Sequence, residues 1–95
     1  MRNAKERLQQ ITKKADLLKA ISHPVRLCIV KGLLDEPGCS VSKIKGCLEM
    51  PQSTVSQHLA KLKSAKIVEG VRSGLAVNYF VINEDVKKIV ACIIP

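Results

Sequence analysis

The apolar positions of the chain keep a helical period for two thirds of its length, switch to strict alternation, and then return to the helical period. From 4 to 21, Leu8, Ile11, Ala15 and Leu18 step by three and four, with Leu17 and Ile21 to one side of that seam. A helix that is apolar on more than one side has two partners, its own core and a second subunit. Pro24 suits the start of the next helix, 24–35, read as "PVRLCIVKGLLD" and ended by "EPG" at Glu36 to Gly38. In "SVSKIKGCLEM", Ser40 is an N-cap for a short helix with Val41, Ile44 and Leu48 as its stripe. Pro51 marks another start, and over 52–65 Val55, Leu59 and Leu62 give one buried face. Two such helices joined by a short turn form a helix-turn-helix.

The period then becomes two. "KIVEGVRSGLAVNYFVI" alternates and is rich in β-branched residues, with Ser73-Gly74 at its centre. It predicts a hairpin with strands near 67–72 and 76–82. A last helix follows over 84–94, with Asn83 as N-cap, Glu84 and Asp85 in its first turn, and Val86, Ile89, Val90 and Ile93 as its stripe. The predicted fold is mainly α with a β-hairpin wing: four helices, a hairpin and a closing helix. It is a winged helix-turn-helix making one domain over residues 1–95, with no repeat, linker or low-complexity segment.

Composition narrows the function. Hydrophobic residues are 46% of the 95, enough for a small core, and Tyr79 and Phe80 are the only Tyr or Phe, with no Trp. That core must be built from Leu, Ile and Val, and a domain so small gains stability by dimerising. The net charge of +8 favours a polyanionic partner, nucleic acid or an anionic membrane. No apolar run approaches the ~20 residues of a membrane span, and "MRNAKERLQQ" carries no apolar signal core, so a cytoplasmic protein is expected. The cysteines Cys28, Cys39, Cys47 and Cys92 contain no CxxC pair and are expected as reduced thiols. Spacing supports no nucleophile–base constellation, phosphate loop or HExxH helix, and catalysis is not expected.

The segment "PQSTVSQHLAKLK" carries the chemistry. On a helical wheel the face opposite Val55, Leu59 and Leu62 holds Ser53, Gln57, Ala60, Lys61 and Ser64, flanked by Thr54 and Ser56. Uncharged amides and hydroxyls match base edges in the major groove, Gln pairing with adenine and methyl groups meeting thymine. Short side chains also admit phosphate to the helix N-terminus. The cations Lys61, Lys63 and Lys66 come later, as suits contacts that position without specifying. The plainer alternative is that these Ser and Thr residues only cap the helix and that its exposed face is merely polar. His58 falls beside the core face and is read as a half-buried structural residue.

Residues 16–82 resemble the ArsR/SmtB family of bacterial transcriptional repressors. "LLKAISHPVRLCIVKGLL" is similar to the family's first-to-second helix signature, and "MPQSTVSQHLAKLKSAKIVEGVRSGLAVNYFVI" to its recognition helix and wing. The resemblance implies a homodimeric repressor of a palindromic operator, reading double-stranded DNA with Gln52, Ser53, Ser56 and Gln57. It places the wing tip, Arg72, Ser73, Gly74 and Leu75, at the neighbouring minor groove or backbone. It also puts the terminal helices, through Leu8, Ile11, Ala15, Leu18, Val86, Ile89, Val90 and Ile93, at the dimer interface.

The same resemblance makes metal sensing unexpected, and no cofactor is implied. Ser40 and Ser42 stand where metal-sensing members carry Cys-x-Cys, and a hydroxyl is a poor ligand for soft metals. The last helix has Glu84 and Asp85 but no His. Some members sense persulfides or oxidants through a thiol pair on the second and last helices, which implies Cys28 and Cys92. Cys39 with Cys47 is a second candidate pair, and either pair is also a candidate for sensing a thiophilic metalloid. Each thiol also has the ordinary reading of a small buried filler, Cys28 above all, while Cys39, after Gly38 in a turn, is expected to be the most exposed. A dimeric interaction module that has lost DNA binding is the remaining alternative.

Overall fold

The computed structural model describes residues 3–95. Met1 and Arg2, which open the N-terminal run read above, lie outside the described residues. The elements are α1 (Ala4–Ile21), α2 (Pro24–Asp35), β1 (Cys39–Ser40), α3 (Val41–Leu48), α4 (Gln52–Ser64), β2 (Val68–Ser73), β3 (Ala76–Val81) and α5 (Glu84–Ile93). The helices fall where the apolar periodicity places them, and their starts follow from local chemistry. Asn3, Ser40 and Asn83 each accept a backbone N–H of the helix they precede. His23 caps α2 by accepting from the Val25 N–H at 3.1 Å, with Pro24 at the first helical position.

Two features depart from the sequence reading. A two-residue strand, β1, precedes α3 and pairs antiparallel with β3, Cys39 opposite Tyr79 and Ser40 opposite Asn78, so the wing is a three-stranded sheet in the order β1-β3-β2. Two residues carry no readable alternation. Ser40 serves both as its last residue and as the cap of α3. The hairpin also turns one residue later than predicted. Ser73 pairs with Ala76, leaving Gly74 and Leu75 at the tip with Gly74 at φ +63°. A two-residue hairpin loop with glycine first suits that backbone.

The core is wholly aliphatic, and among the described residues no polar or charged residue is buried. Leu33 of α2, Val55, Leu59 and Leu62 of α4, Ile67, and Val86 and Val90 of α5 are sealed inside it. This corrects the expected dimer surface. Val86 and Val90 lie one turn apart on the α5 stripe that closes the subunit's own core, so neither is free for a partner. Ile89 is half-buried, and Ile93, past the end of that core, is exposed. On α1 only Ile21 is buried, while Leu8, Ile11 and Leu18 are 64, 50 and 47% exposed.

Candidate nucleic-acid interface

Val55, Leu59 and Leu62 fix α4 to the core, each such burial contributing about 1.5–3 kcal/mol. The helix is thereby held in one rotation, with the opposite face outward. Gln52, Ser53, Ser56, Gln57, Ala60, Lys61, Lys63 and Ser64 are exposed and Thr54 is half-buried. The turn 49–51 joins α3 to α4, with Glu49 in the left-handed region at φ 55°. At the far end Lys66, also left-handed at φ 59°, closes α4. The Lys66 N–H donates to the Lys63 carbonyl at 2.9 Å and the Ile67 N–H to the Leu62 carbonyl at 3.0 Å.

The start of α4 differs from the other four helices. Its N-cap is Pro51, and no side chain accepts its first N–H groups. Ser53 and Thr54 therefore do not cap the helix, as the plainer alternative requires, and the positive end of α4 is left open to an anion.

The wing supplies the second surface. Arg72 is exposed on β2 opposite Val77, and Leu75 stands fully exposed at the tip. At Gly70, opposite Tyr79, any side chain would force its neighbours to shift. A Cβ there would come within 2.8 Å of Val77 Cγ1 and 3.1 Å of Tyr79 Cε1. Charge is partitioned to match. The ion pairs among the described residues are Lys14–Asp85, Lys31–Asp35, Lys43–Glu36 and Lys87–Glu84. None involves Lys61, Lys63, Lys66 or Arg72, so the cations of α4 and the wing remain available to phosphate. The Lys14–Asp85 bond, 2.5 Å, ties α1 to the start of α5, and it holds the Asp85 carboxyl below its ordinary value.

His58 is half-buried beside the core face, as the sequence indicates, and it belongs to a cluster that the sequence does not show. Its ring lies 4.6 Å from that of His23 at a 42° tilt, and Arg26 Nη1 approaches its Nδ1 at 3.4 Å. Arg26 Nε also donates to the Ala20 carbonyl at 2.6 Å. The end of α1, the cap of α2 and α4 thus meet at one point. Burial, and then the charges of His23, Arg26 and Lys61, push the His58 pKa below its ordinary 6.5.

The cysteines are all free thiols, and their exposure reverses the sequence reading. Cys28, Cys47 and Cys92 are exposed. Cys39 is half-buried because its Sγ–H donates to the Glu36 carbonyl at 3.0 Å and its backbone pairs with β3. Cys28, Cys39 and Cys47 wall one groove between α2 and α3, whereas Cys92, on α5, is not part of it. Among the described residues no three His, Cys, Asp or Glu side chains converge closely enough to hold a metal ion. Nor is any described helix long and apolar enough to cross a membrane.

An exposed helix face of amides and hydroxyls behind a tight turn, with Arg72 exposed on the hairpin beside it, defines a winged helix-turn-helix DNA-binding regulator. Residues 21–71 match the family model described as a helix-turn-helix domain. The chain is 41% identical over 81 residues to the transcriptional repressor PagR of Bacillus anthracis, covering 85% of this chain and 81% of PagR. The crystal structure of PagR superposes with a TM-score of 0.84 over 90% of this chain and 98% of that one. The repressor SmtB of Mycobacterium tuberculosis is 45% identical over 64 residues, 67% of this chain and 47% of SmtB. The homodimeric winged helix-turn-helix domain of Mb0332 from Mycobacterium bovis, 27% identical, superposes with a TM-score of 0.85 over 97% of this chain and 84% of that one. The chain belongs to the ArsR/SmtB family of transcriptional regulators.

Proposed function

We propose that this chain is a repressor that binds a palindromic DNA operator as a homodimer. Gln52, Ser53, Ser56 and Gln57 read base edges in the major groove, and Lys61, Lys63 and Arg72 hold the phosphate backbone. The observation that carries the reading is the open start of α4. Its outward amides and hydroxyls are neither spent on capping nor neutralised by charge, and a solvated surface helix would have no use for such a face.

The dimer rests on the unpartnered seam of α1. The radius of gyration is 14.4 Å, against about 13 Å for a compact domain of this length, and the longest dimension is 47 Å. α1 carries Leu8, Ile11, Ala15 and Leu18 on a surface that the rest of the subunit leaves exposed. A second copy buries them, with Ile93 and Ile89 contributing from α5. The repressor named PagR and the homodimer of Mb0332 agree with this reading.

The test is a footprint on the DNA upstream of the chain's own gene, followed by titration of the protected site and a scrambled duplex. A protected two-fold site, bound at least roughly a thousandfold more tightly than the scramble, is expected. Equal binding to both would leave only a non-specific basic protein.

A further inference from the structure

The groove between α2 and α3 has no part in the DNA-facing surface, yet it gathers three of the four thiols. It is a cavity of about 200 Å³. Ile29, Leu33 and Ile44, all buried core residues, form its floor, and Cys28, Cys39 and Cys47 stand on its walls. A space of this size suits one small ring, since an apolar cavity of ~150 Å³ accepts benzene. Lys43 also lines the groove, its ammonium donating to the Glu36 carboxylate, which lines it too. The groove therefore combines an apolar floor, soft nucleophiles and one cation that can meet a developing oxyanion.

The three sulfurs wall the groove without closing on a common point, because no metal-holding set of three ligands exists among the described residues. That favours attack by one thiol over shared chelation. We propose that the α2–α3 groove is a covalent sensing site for a single-ring, apolar electrophile of the quinone class. In the reaction a Cys39 or Cys47 sulfur forms a bond to a ring carbon of the quinone. The ring π bond breaks toward a carbonyl oxygen beside Lys43. The thiol proton and the displaced ring proton end on the two oxygens, giving a hydroquinone thioether. The quinone is its own electron acceptor, so no further oxidant or reductant is required.

The signal path is short. Ile44 belongs both to the floor of the groove and to α3, the first helix of the helix-turn-helix, and α3 runs through the turn 49–51 into α4. A ring tethered to the wall wedges α3 away from α2 and rotates α4 out of its reading position. This output rests on the proposed DNA function, whereas the chemistry of the groove does not.

The experiment treats the reduced full chain with one equivalent of p-benzoquinone, locates the adduct by peptide mass mapping, and measures operator affinity before and after. Cys92, exposed in the subunit and outside the groove, is the internal control, and each thiol's rate is divided by its rate with iodoacetamide so that shielding of α5 in the dimer cancels. Adducts on the groove thiols, formed well ahead of Cys92, together with a loss of affinity of roughly tenfold or more, are expected. A variant with Cys28, Cys39 and Cys47 all replaced by Ser should bind operator like the parent and ignore the quinone. Cys47→Ser alone, with its fold checked by thermal unfolding, covers the case in which the triple variant does not fold. Labelling of Cys92 as fast as the groove thiols would overturn the site, and a groove adduct with unchanged affinity would overturn its role as a sensor. If the untreated protein binds no operator, the DNA reading fails by itself and the mapped selectivity still decides the groove.

Discussion

His58 shows how one residue joins packing, charge and DNA reading. It sits on the reading helix but points back at His23 and Arg26, and Arg26 donates to its Nδ1, so the neutral ring is the form the fold accommodates. Its folded pKa lies below the ordinary 6.5 of the unfolded chain. Above that value both states are neutral and the contribution to stability is fully present. As pH falls below it the unfolded chain takes up the proton first, and stability is lost down through the folded pKa. Denaturant midpoints should therefore be flat above about pH 7 and decline below about 6.5. His58→Gln, which keeps an acceptor for Arg26, should flatten that decline, and an unchanged slope would assign the effect to other groups. Gln57, one position earlier, faces outward and has no such partner. Gln57→Ala should cost roughly 1–3 kcal/mol on operator DNA and relax the preference at one base pair, with random DNA unaffected. An equal loss on both duplexes would show that Gln57 contacts no base.

At the level of elements, the proposed function divides the labour of reading and holding between α4 and the wing. The short uncharged side chains lie in the first half of α4, whereas its lysines and the exposed Arg72 of β2 are free of carboxylate partners. Each phosphate contact made by such a cation releases condensed counterions from the duplex. Lys61→Ala or Arg72→Ala should therefore weaken every sequence alike and reduce the slope of log K against log salt by roughly 0.9. Affinity titrations across a series of KCl concentrations check this. A loss confined to the operator would make the residue a reader of bases. The position of α4 was legible because an aliphatic stripe at helical spacing has only one way to be buried, whereas the alternation of the wing left its turn one residue out. The β1 strand was not legible, since Cys39 and Ser40 acquire their conformation from β3, far along the chain.

Over the whole molecule the unresolved demand is the exposed seam of α1. Leu8, Ile11 and Leu18 present an apolar surface that the subunit leaves in water, and the ion pair of Lys14 with Asp85 ties that helix to α5. Ile11→Glu together with Leu18→Glu should yield monomers in sedimentation velocity with the helical content retained. The variant should lose affinity for the two-fold operator far more than for a single half-site. In the dimer the two α4 helices should lie about one turn of duplex apart, roughly 34 Å. An operator with an inserted half-turn of spacer should bind no better than a half-site. Dimers that persist in the double variant would place the interface elsewhere.

By itself the sequence determined the five helices, the presence of the hairpin, the aliphatic core and the outward face of α4. Those follow from period and side-chain chemistry along a contiguous stretch. Only the tertiary structure decided which apolar stripe was left over. Val86 and Val90 looked as available as Leu8 and Ile11, yet α5 packs inward while α1 does not. It also decided that Cys28, Cys39 and Cys47 share one groove and that His23 meets His58. Residues distant along the chain have no common period, and what brings them together is the way the helices pack on a core that none of them belongs to.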